Sequence, residues 1–244
     1  MYQTSKTVEI MLSKKLNKVL LKLVNKKKPQ IILVDGISCS GKTFFSGILN
    51  SLLKKNKKRV DLLSKDYFLK SRKHRISYLK SLKKKISYSQ NSKHYNLKKI
   101  NNFVDSFNKE KDKIKINNLY SRKTGLNNKS ITHNFDYKGI LIYEGIYCVN
   151  DFKEINKKKI RILIKRDLYD CLSTKIKRIR DKKISIYDVV LEFITIHLNS
   201  FHKYINKYNY DLIIDYNNHV FELEQNSKIS YINKITQFLT KHKE

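Results

Sequence analysis

One segment constrains this chain more than any other. Gln30-Ile31-Ile32-Leu33-Val34-Asp35 is an apolar run of strand character that leads straight into Gly36-Ile37-Ser38-Cys39-Ser40-Gly41-Lys42-Thr43, after which the spacing predicts a helix to about Lys55. This is GxxxxGK[ST] between a strand and a helix, the context that gives the pattern its meaning. A glycine loop that opens a helix turns successive backbone N–H groups inward, and the helix dipole adds positive potential for a polyphosphate. Gly36, Ser38, Ser40, Gly41, Lys42 and Thr43 are therefore the candidate ATP-binding residues. Lys42 would reach the β and γ phosphates. Thr43 would place its hydroxyl on Mg²⁺, a hard cation that takes oxygen ligands and is normally shared with substrate phosphates.

Composition sharpens this reading. The 244 residues include no alanine, no tryptophan, one proline and six glycines, and are crowded with Lys, Asn, Ile, Tyr and Phe, as expected of a very AT-rich coding sequence. An average chain of this length carries roughly 17 glycines, so those retained sit where backbone geometry asks for them. The net charge of +32 raises nucleic acid or an anionic surface as a partner. Coding bias explains most of that charge, and only eight of the 53 cations are arginine, the residue favoured for bidentate contacts with guanine and phosphate. Nucleic acid is accordingly set below a small-molecule substrate.

At 40% hydrophobic residues the chain is not expected to be disordered. No apolar run approaches the roughly 18 residues that span a bilayer, and Met1 to Ile10 lacks a signal-peptide core. Cys39, Cys148 and Cys171 are far apart and without CxxC spacing, which argues against a disulfide framework or a zinc site and fits a reducing, cytoplasmic setting.

Two carboxylates follow strands. Arg59 to Ser64 reads as a second strand ending in Lys65-Asp66-Tyr67-Phe68, and Gly139 to Tyr143 as a third ending in Glu144-Gly145. Ligands of open α/β sheets bind outside the carboxyl ends of the strands, so Asp66 and Glu144 should face the same crevice as the phosphate loop. Beyond them, Ile160 to Lys165 and Asp211 to Asp215 read as strands, and Asp167 to Arg180, Tyr187 to Tyr204 and Ser230 to Lys241 as helices. The alternation predicts an α/β three-layer sandwich of the P-loop NTPase type, with a parallel sheet of about five strands and helices on both faces.

Thr4 to Val24 has an apolar side made by Val8, Met11, Leu12, Leu16, Val19, Leu20 and Leu23, so residues 1–29 are read as an amphipathic helix before a P-loop domain at 30–244. Within that domain, 69–137 is read as an inserted substrate region, with helical spacing from Asn96 to Phe107 and a short strand from Lys113 to Tyr120 before Thr124-Gly125. The basic runs at Lys54 to Lys58 and Lys83 to Lys85 read as solvated faces.

Together these segments resemble the uridine kinase and phosphoribulokinase family of P-loop kinases, with the uridine kinases nearest. The loop from Gly36 to Thr43 resembles that family's GxSxSGKT. Asp66-Tyr67-Phe68-Leu69-Lys70 resembles DSFYK, Lys138 to Tyr147 resembles VVIFEGIL, and Asp167 to Arg178 resembles DADxRLxRRxxR. Glu192-Phe193 stands where the family has Gln-Tyr, and Tyr210 to Ile214 resembles ADVII.

The resemblance implies transfer of the ATP γ-phosphoryl group to the 5′-hydroxyl of uridine or cytidine, as in pyrimidine salvage. Asp66 would accept the hydroxyl proton, Lys42 would hold the phosphates, and Glu144, Thr43 and Asp66 would form the Mg²⁺ side. It also implies a lid at 175–186 whose Arg178 or Arg180 closes over the phosphates, and a nucleoside contacted by Tyr67 and Tyr120; a homo-oligomer is left open. The departures lie in the substrate region. His94-Tyr95-Asn96 replaces HPDAFD and brings no carboxylate for a ribose, and Leu119-Tyr120-Ser121-Arg122-Lys123-Thr124-Gly125 keeps the tyrosine of PxYDFxxHxR without its aspartate or histidine. Two alternatives therefore stand beside a nucleoside kinase: the same chemistry on another small alcohol, such as a sugar phosphate or a pantothenate-like compound, and a P-loop nucleic-acid binder or polynucleotide kinase.

Overall fold

In the computed structural model, residues 12–82, 94–134, 139–178, 185–217, 220–223, 233, 236–238 and 240–241 are described. The central sheet is built from β1 (Ile31–Gly36), β2 (Val60–Ser64), β5 (Ile140–Glu144), β6 (Lys159–Lys165), β7 (Leu212–Asn217) and β8 (Val220–Leu223), in the order β2-β5-β1-β6-β7-β8. All neighbouring pairs run parallel except β7 with β8. The sheet thus has six strands rather than five. The extra strand, only four residues long, returns antiparallel along the edge, and four residues are too few for alternation to stand out from coil.

β1 is buried along its whole length, as a central parallel strand covered on both faces must be. Its alternating side chains enter two cores. Ile32 and Val34 join Phe45, Ile48 and Leu49 of α2 (Lys42–Lys55) and Leu16, Leu20 and Val24 of α1 (Lys14–Lys27). Ile31 and Leu33 join the opposite core, with Phe103 and Phe107 of α4 (Leu97–Asn108), Tyr143, Phe152 and Phe201. Each fully buried aliphatic or aromatic side chain contributes about 1.5–3 kcal/mol, so the position of β1, and of the loop that follows it, is set from both sides.

The N-terminal helix begins later than its apolar spacing implies. Ser13 caps it by accepting a hydrogen bond from the Leu16 amide at 3.2 Å, and Lys28 in the left-handed region closes it. Val8 and Met11 of that stripe lie outside the described residues. Just ahead of the cap, Leu12 bridges to Phe221 of β8, which docks the start of α1 on the sheet edge.

Between β2 and β5 the expected helix and strand are present, as α4 and β3 (Lys113–Tyr120), beside α3 (Arg72–Leu82) and β4 (Asn127–Asn134). β3 and β4 form a separate antiparallel ribbon. The part of the chain after β5 carries the short helix α5 (Cys148–Asp151), then α6 (Leu168–Lys177), α7 (Ile186–Glu192) and α8 (Asn199–Ile205). The helix expected over Tyr187 to Tyr204 is interrupted by a π-helical turn at Phe193–Leu198. Most of the helix expected at Ser230 to Lys241 lies outside the described residues. Among the described residues no helix is long and apolar enough to cross a membrane.

Candidate active site

Strand register alone gathers the predicted carboxylates around the loop. Glu144, last in β5, pairs with Ser64 of β2 on one side and with Val34 of β1 on the other. Asp66 stands two residues past Ser64 and Gly36 two past Val34, so all three occupy one sheet edge.

The loop has the backbone its glycines predict. Gly36 has φ +155° and Gly41, the N-cap of α2, has φ +97°. A Cβ on Gly36 would stand 2.6 Å from the Ile164 carbonyl oxygen, and one on Gly41 would stand 2.9 Å from the Tyr216 ring. Lys42 is buried and donates to the Ile37 carbonyl at 2.7 Å, so its ammonium lies across the loop it closes. The buried Ser40 hydroxyl has no hydrogen-bond partner, and a phosphate oxygen in the loop would supply one. Ser38, half-buried, lies with its hydroxyl 3.8 Å from Cys39 Sγ.

Thr43, at the start of α2, donates its hydroxyl to Glu144 Oε1 at 3.1 Å. Glu144 is buried, and burial followed by the charge of Asp66 pushes its carboxyl above the usual range, while Lys42 and hydrogen bonds from Ser64 and Thr43 pull the other way. Threonine and glutamate oxygens are the donor set a hard cation accepts. Among the described residues no group of three His, Cys, Asp or Glu could hold a metal.

Asp66 lies in a 3-10 turn, Lys65–Phe68, whose start is capped by Ser64 accepting the Asp66 amide at 3.3 Å. Its Oδ2 is held by the guanidinium of Arg122 from the β3–β4 turn. Tyr67 is half-buried with Lys129 Nζ 4.2 Å from its ring centroid, and Tyr120 is buried with the Arg75 guanidinium 4.8 Å over its ring. Arg178, just past α6, is exposed and its Nη1 is 3.8 Å from Cys39 Sγ, at the rim of the loop. Arg180 lies outside the described residues.

Several residues that support the site have no sequence signal of their own. Arg166 donates to the Cys39 carbonyl at 3.1 Å and sits 5.4 Å from the Tyr216 ring. Asp35 is fully buried; it accepts from the Gly36 amide at 2.8 Å, the Tyr147 amide at 3.0 Å and the Tyr204 hydroxyl at 2.6 Å. Burial outweighs those donors and raises its carboxyl above the ordinary range. Lys65 is wholly buried, paired with Asp151 at 2.8 Å and donating to the Tyr147 carbonyl at 3.2 Å, and Tyr143 donates to Asp151 at 3.1 Å. A charged residue closing an apolar strand, as Asp35 does, is the one hint a sequence offers; the partners of Lys65 are 82 and 86 positions away.

The family model for phosphoribulokinase and uridine kinase matches residues 31–220. The chain belongs to that family. Solved structures agree on the fold. A chain from Silicibacter described as a fructose transport system kinase aligns with a TM-score of 0.56 at 16% identity over 81% of this chain and 98% of that one. A chain from Bacillus stearothermophilus described as a uridine kinase gives 0.55 at 12% identity over 82% and 98%. The D-glycerate 3-kinase of Cryptococcus neoformans gives 0.55 at 10% identity over 87% and 96%. No curated protein matches the chain in sequence. As a member of the phosphoribulokinase and uridine kinase family, the chain is a kinase, and membership implies ATP as the phosphoryl donor and a small molecule as its acceptor.

Proposed function

We propose that this kinase transfers the γ-phosphoryl group of ATP to the hydroxyl of a small-molecule alcohol, with Asp66 as the base. The observation that carries this reading is the convergence of Lys42, Thr43, Glu144 and Asp66 on one sheet edge, with Thr43 and Glu144 in direct contact. The acceptor oxygen bonds to the γ phosphorus as the bond to the β–γ bridging oxygen breaks, the electron pair leaves with ADP, and the hydroxyl proton passes to Asp66. Such transfer depends on in-line positioning and charge neutralisation rather than covalent catalysis. Lys42 and the loop amides of Gly36, Ser38, Ser40 and Gly41 hold the phosphates, with Arg178 at the rim of the loop and Arg180 the other arginine that the family likeness offers for the lid. Thr43 and Glu144, with Asp66 close by, are the residues that would hold Mg²⁺, whose charge would offset that of the phosphates.

The 5′-hydroxyl of uridine or cytidine is the acceptor that the family likeness brings forward, with Tyr67 and Tyr120 on the nucleoside side. One observation favours a different alcohol: that side of the cleft presents arginines and has no carboxylate for a ribose at His94-Tyr95-Asn96. The test is turnover of ATP with Mg²⁺ and uridine, cytidine, other alcohols or a short RNA, followed as ADP release. Asp66→Asn should lower turnover by about 10²–10⁴ while ATP still raises the melting temperature. Unchanged turnover would remove Asp66 from the mechanism.

A further inference from the structure

Three of the eight arginines gather beside Asp66: Arg122 is on its carboxylate, Arg72 is on the Arg122 carbonyl, and Arg75 is over the ring of Tyr120 at the end of the same turn. In a chain whose coding bias strongly favours lysine, a solvated surface would be served by lysine. Arginine differs in offering a planar fork of donors that fits a carboxylate or phosphate. The segments around it, Leu69 to Leu82 and Leu119 to Asn134, contain no Asp or Glu at all. The anion that Arg122 now touches is Asp66, from outside both segments.

The turn that presents Arg122 is held in place. Arg72 donates from Nη2 to the Arg122 carbonyl at 3.3 Å, its amide bonds to the Gly125 carbonyl at 2.9 Å, and Gly125 itself is in the left-handed region at φ +76°. Asn127 ties the far side of the turn to the Leu69 carbonyl at 2.8 Å. The Arg122 side chain, by contrast, is 58% exposed and reaches Asp66 from solvent. A fixed turn therefore carries a solvent-exposed fork, with Arg75 and Lys129 on the flanking rings of Tyr120 and Tyr67.

Arg122 holds Oδ2 of Asp66 and leaves Oδ1 to receive a hydroxyl proton. A neutral alcohol leaves that guanidinium on the base and gives it no other partner. The geometry points to an acceptor that carries its own anionic group, a carboxylate or a phosphate, which draws Arg122 off Asp66 as it binds and so frees both oxygens of the base. This rests on the reading of Asp66 as the base of an ATP-dependent kinase. It exchanges one charge-assisted pair for another, which a neutral acceptor does not offer.

The experiment measures steady-state kinetics of the full chain with ATP and Mg²⁺ on three sets of alcohols: neutral (uridine, cytidine, fructose), carboxylate-bearing (glycerate, pantothenate) and phosphate-bearing (ribulose 5-phosphate, fructose 1-phosphate). At least one anionic alcohol should exceed the neutral ones in kcat/KM by 10-fold or more, and which set it comes from tells carboxylate from phosphate. Arg122→Gln should raise KM for that acceptor about 10- to 100-fold, the loss expected for a hydrogen bond to a charged group, and should weaken it more than it weakens any neutral alcohol. Arg122→Lys should fall between, keeping charge without the fork. A neutral nucleoside preferred by the native chain, no anionic alcohol turned over, or an Arg122→Gln variant that weakens every acceptor alike would each overturn the inference. Stabilisation by ATP and Mg²⁺, measured in the same preparations, separates the two readings: its absence defeats the kinase reading itself, whereas its presence with any of those three results defeats only the anionic acceptor.

Discussion

Thr43 and Glu144, 101 positions apart, meet through a single hydrogen bond of 3.1 Å that joins the first turn of α2 to the end of β5. The bond fixes the two oxygens that a divalent cation would share with the phosphates. Glu144→Gln keeps the side-chain shape and removes the charge, so it should raise the Mg²⁺ concentration for half-maximal activity by about 10- to 100-fold, the usual range for disturbed metal surroundings. A magnesium titration at saturating ATP reads this directly, and an unchanged midpoint would take Glu144 off the metal side.

The phosphate loop tolerates no side chain at Gly36. A Cβ there would lie 2.6 Å from both the Ile164 carbonyl oxygen and Ser40 Oγ. Gly36→Ala should therefore abolish stabilisation by ATP while the far-ultraviolet spectrum keeps its α/β form. Retained stabilisation would show that the loop can move aside.

Lys65 and Asp151 form a buried pair with side-chain exposures of 0% and 4%. Removing the cation alone strands a carboxylate among Tyr143, Tyr95 and Cys148. Lys65→Met should cost about 3–5 kcal/mol, a fall of roughly 6–20 °C in melting temperature for a chain of this size. Lys65→Met with Asp151→Leu should recover most of it, because an apolar pair has no charge to desolvate. A double variant no better than the single one would show that the hydrogen bonds matter more than the charges.

Asp35 sets a pH dependence. Burial raises its carboxyl in the folded state above the ordinary value of about 4. The folded chain then binds the proton more readily than the unfolded one, so this group adds stability as pH falls through the raised value and penalises folding above it. Asp35→Asn lacks that contribution and also disturbs the 2.6 Å bond from Tyr204. The difference in melting temperature between native chain and variant should shift in favour of the native chain as pH is lowered toward the ordinary carboxylate value; a constant difference would show that Asp35 takes up no proton across the range measured.

The site was legible in the sequence wherever it follows an apolar strand. Gly36, Glu144 and Asp66 each stand at or just past the end of such a run; a parallel sheet puts those ends on one edge, and the order β2-β5-β1 makes them neighbours. Tertiary partners of surface segments were not legible. Arg122 is read only as one residue of the segment compared with PxYDFxxHxR, without a partner, because the aspartate it holds is 56 positions away. β4, Asn-Asn-Lys-Ser-Ile-Thr-His-Asn, is half-buried on alternate residues yet polar on nearly all of them, so its period leaves no hydrophobic trace. The π-helical turn at Phe193–Leu198 is equally silent, since its side chains read as one continuous helical stripe.

The strand order also bears on how such a chain is made. β1 lies between β5 and β6, which are synthesised about a hundred residues after it, and Tyr216, which packs against Gly41, comes later still. On the ribosome, Ile31 to Val34 must wait as an unpaired apolar segment until β5 has emerged, and gains its second neighbour only with β6, an interval of seconds to tens of seconds at ordinary elongation rates. Nascent chains arrested before that point should bind no ATP and should depend on chaperones, and those arrested beyond β7 should be the first in which a nucleotide protects the loop from proteolysis.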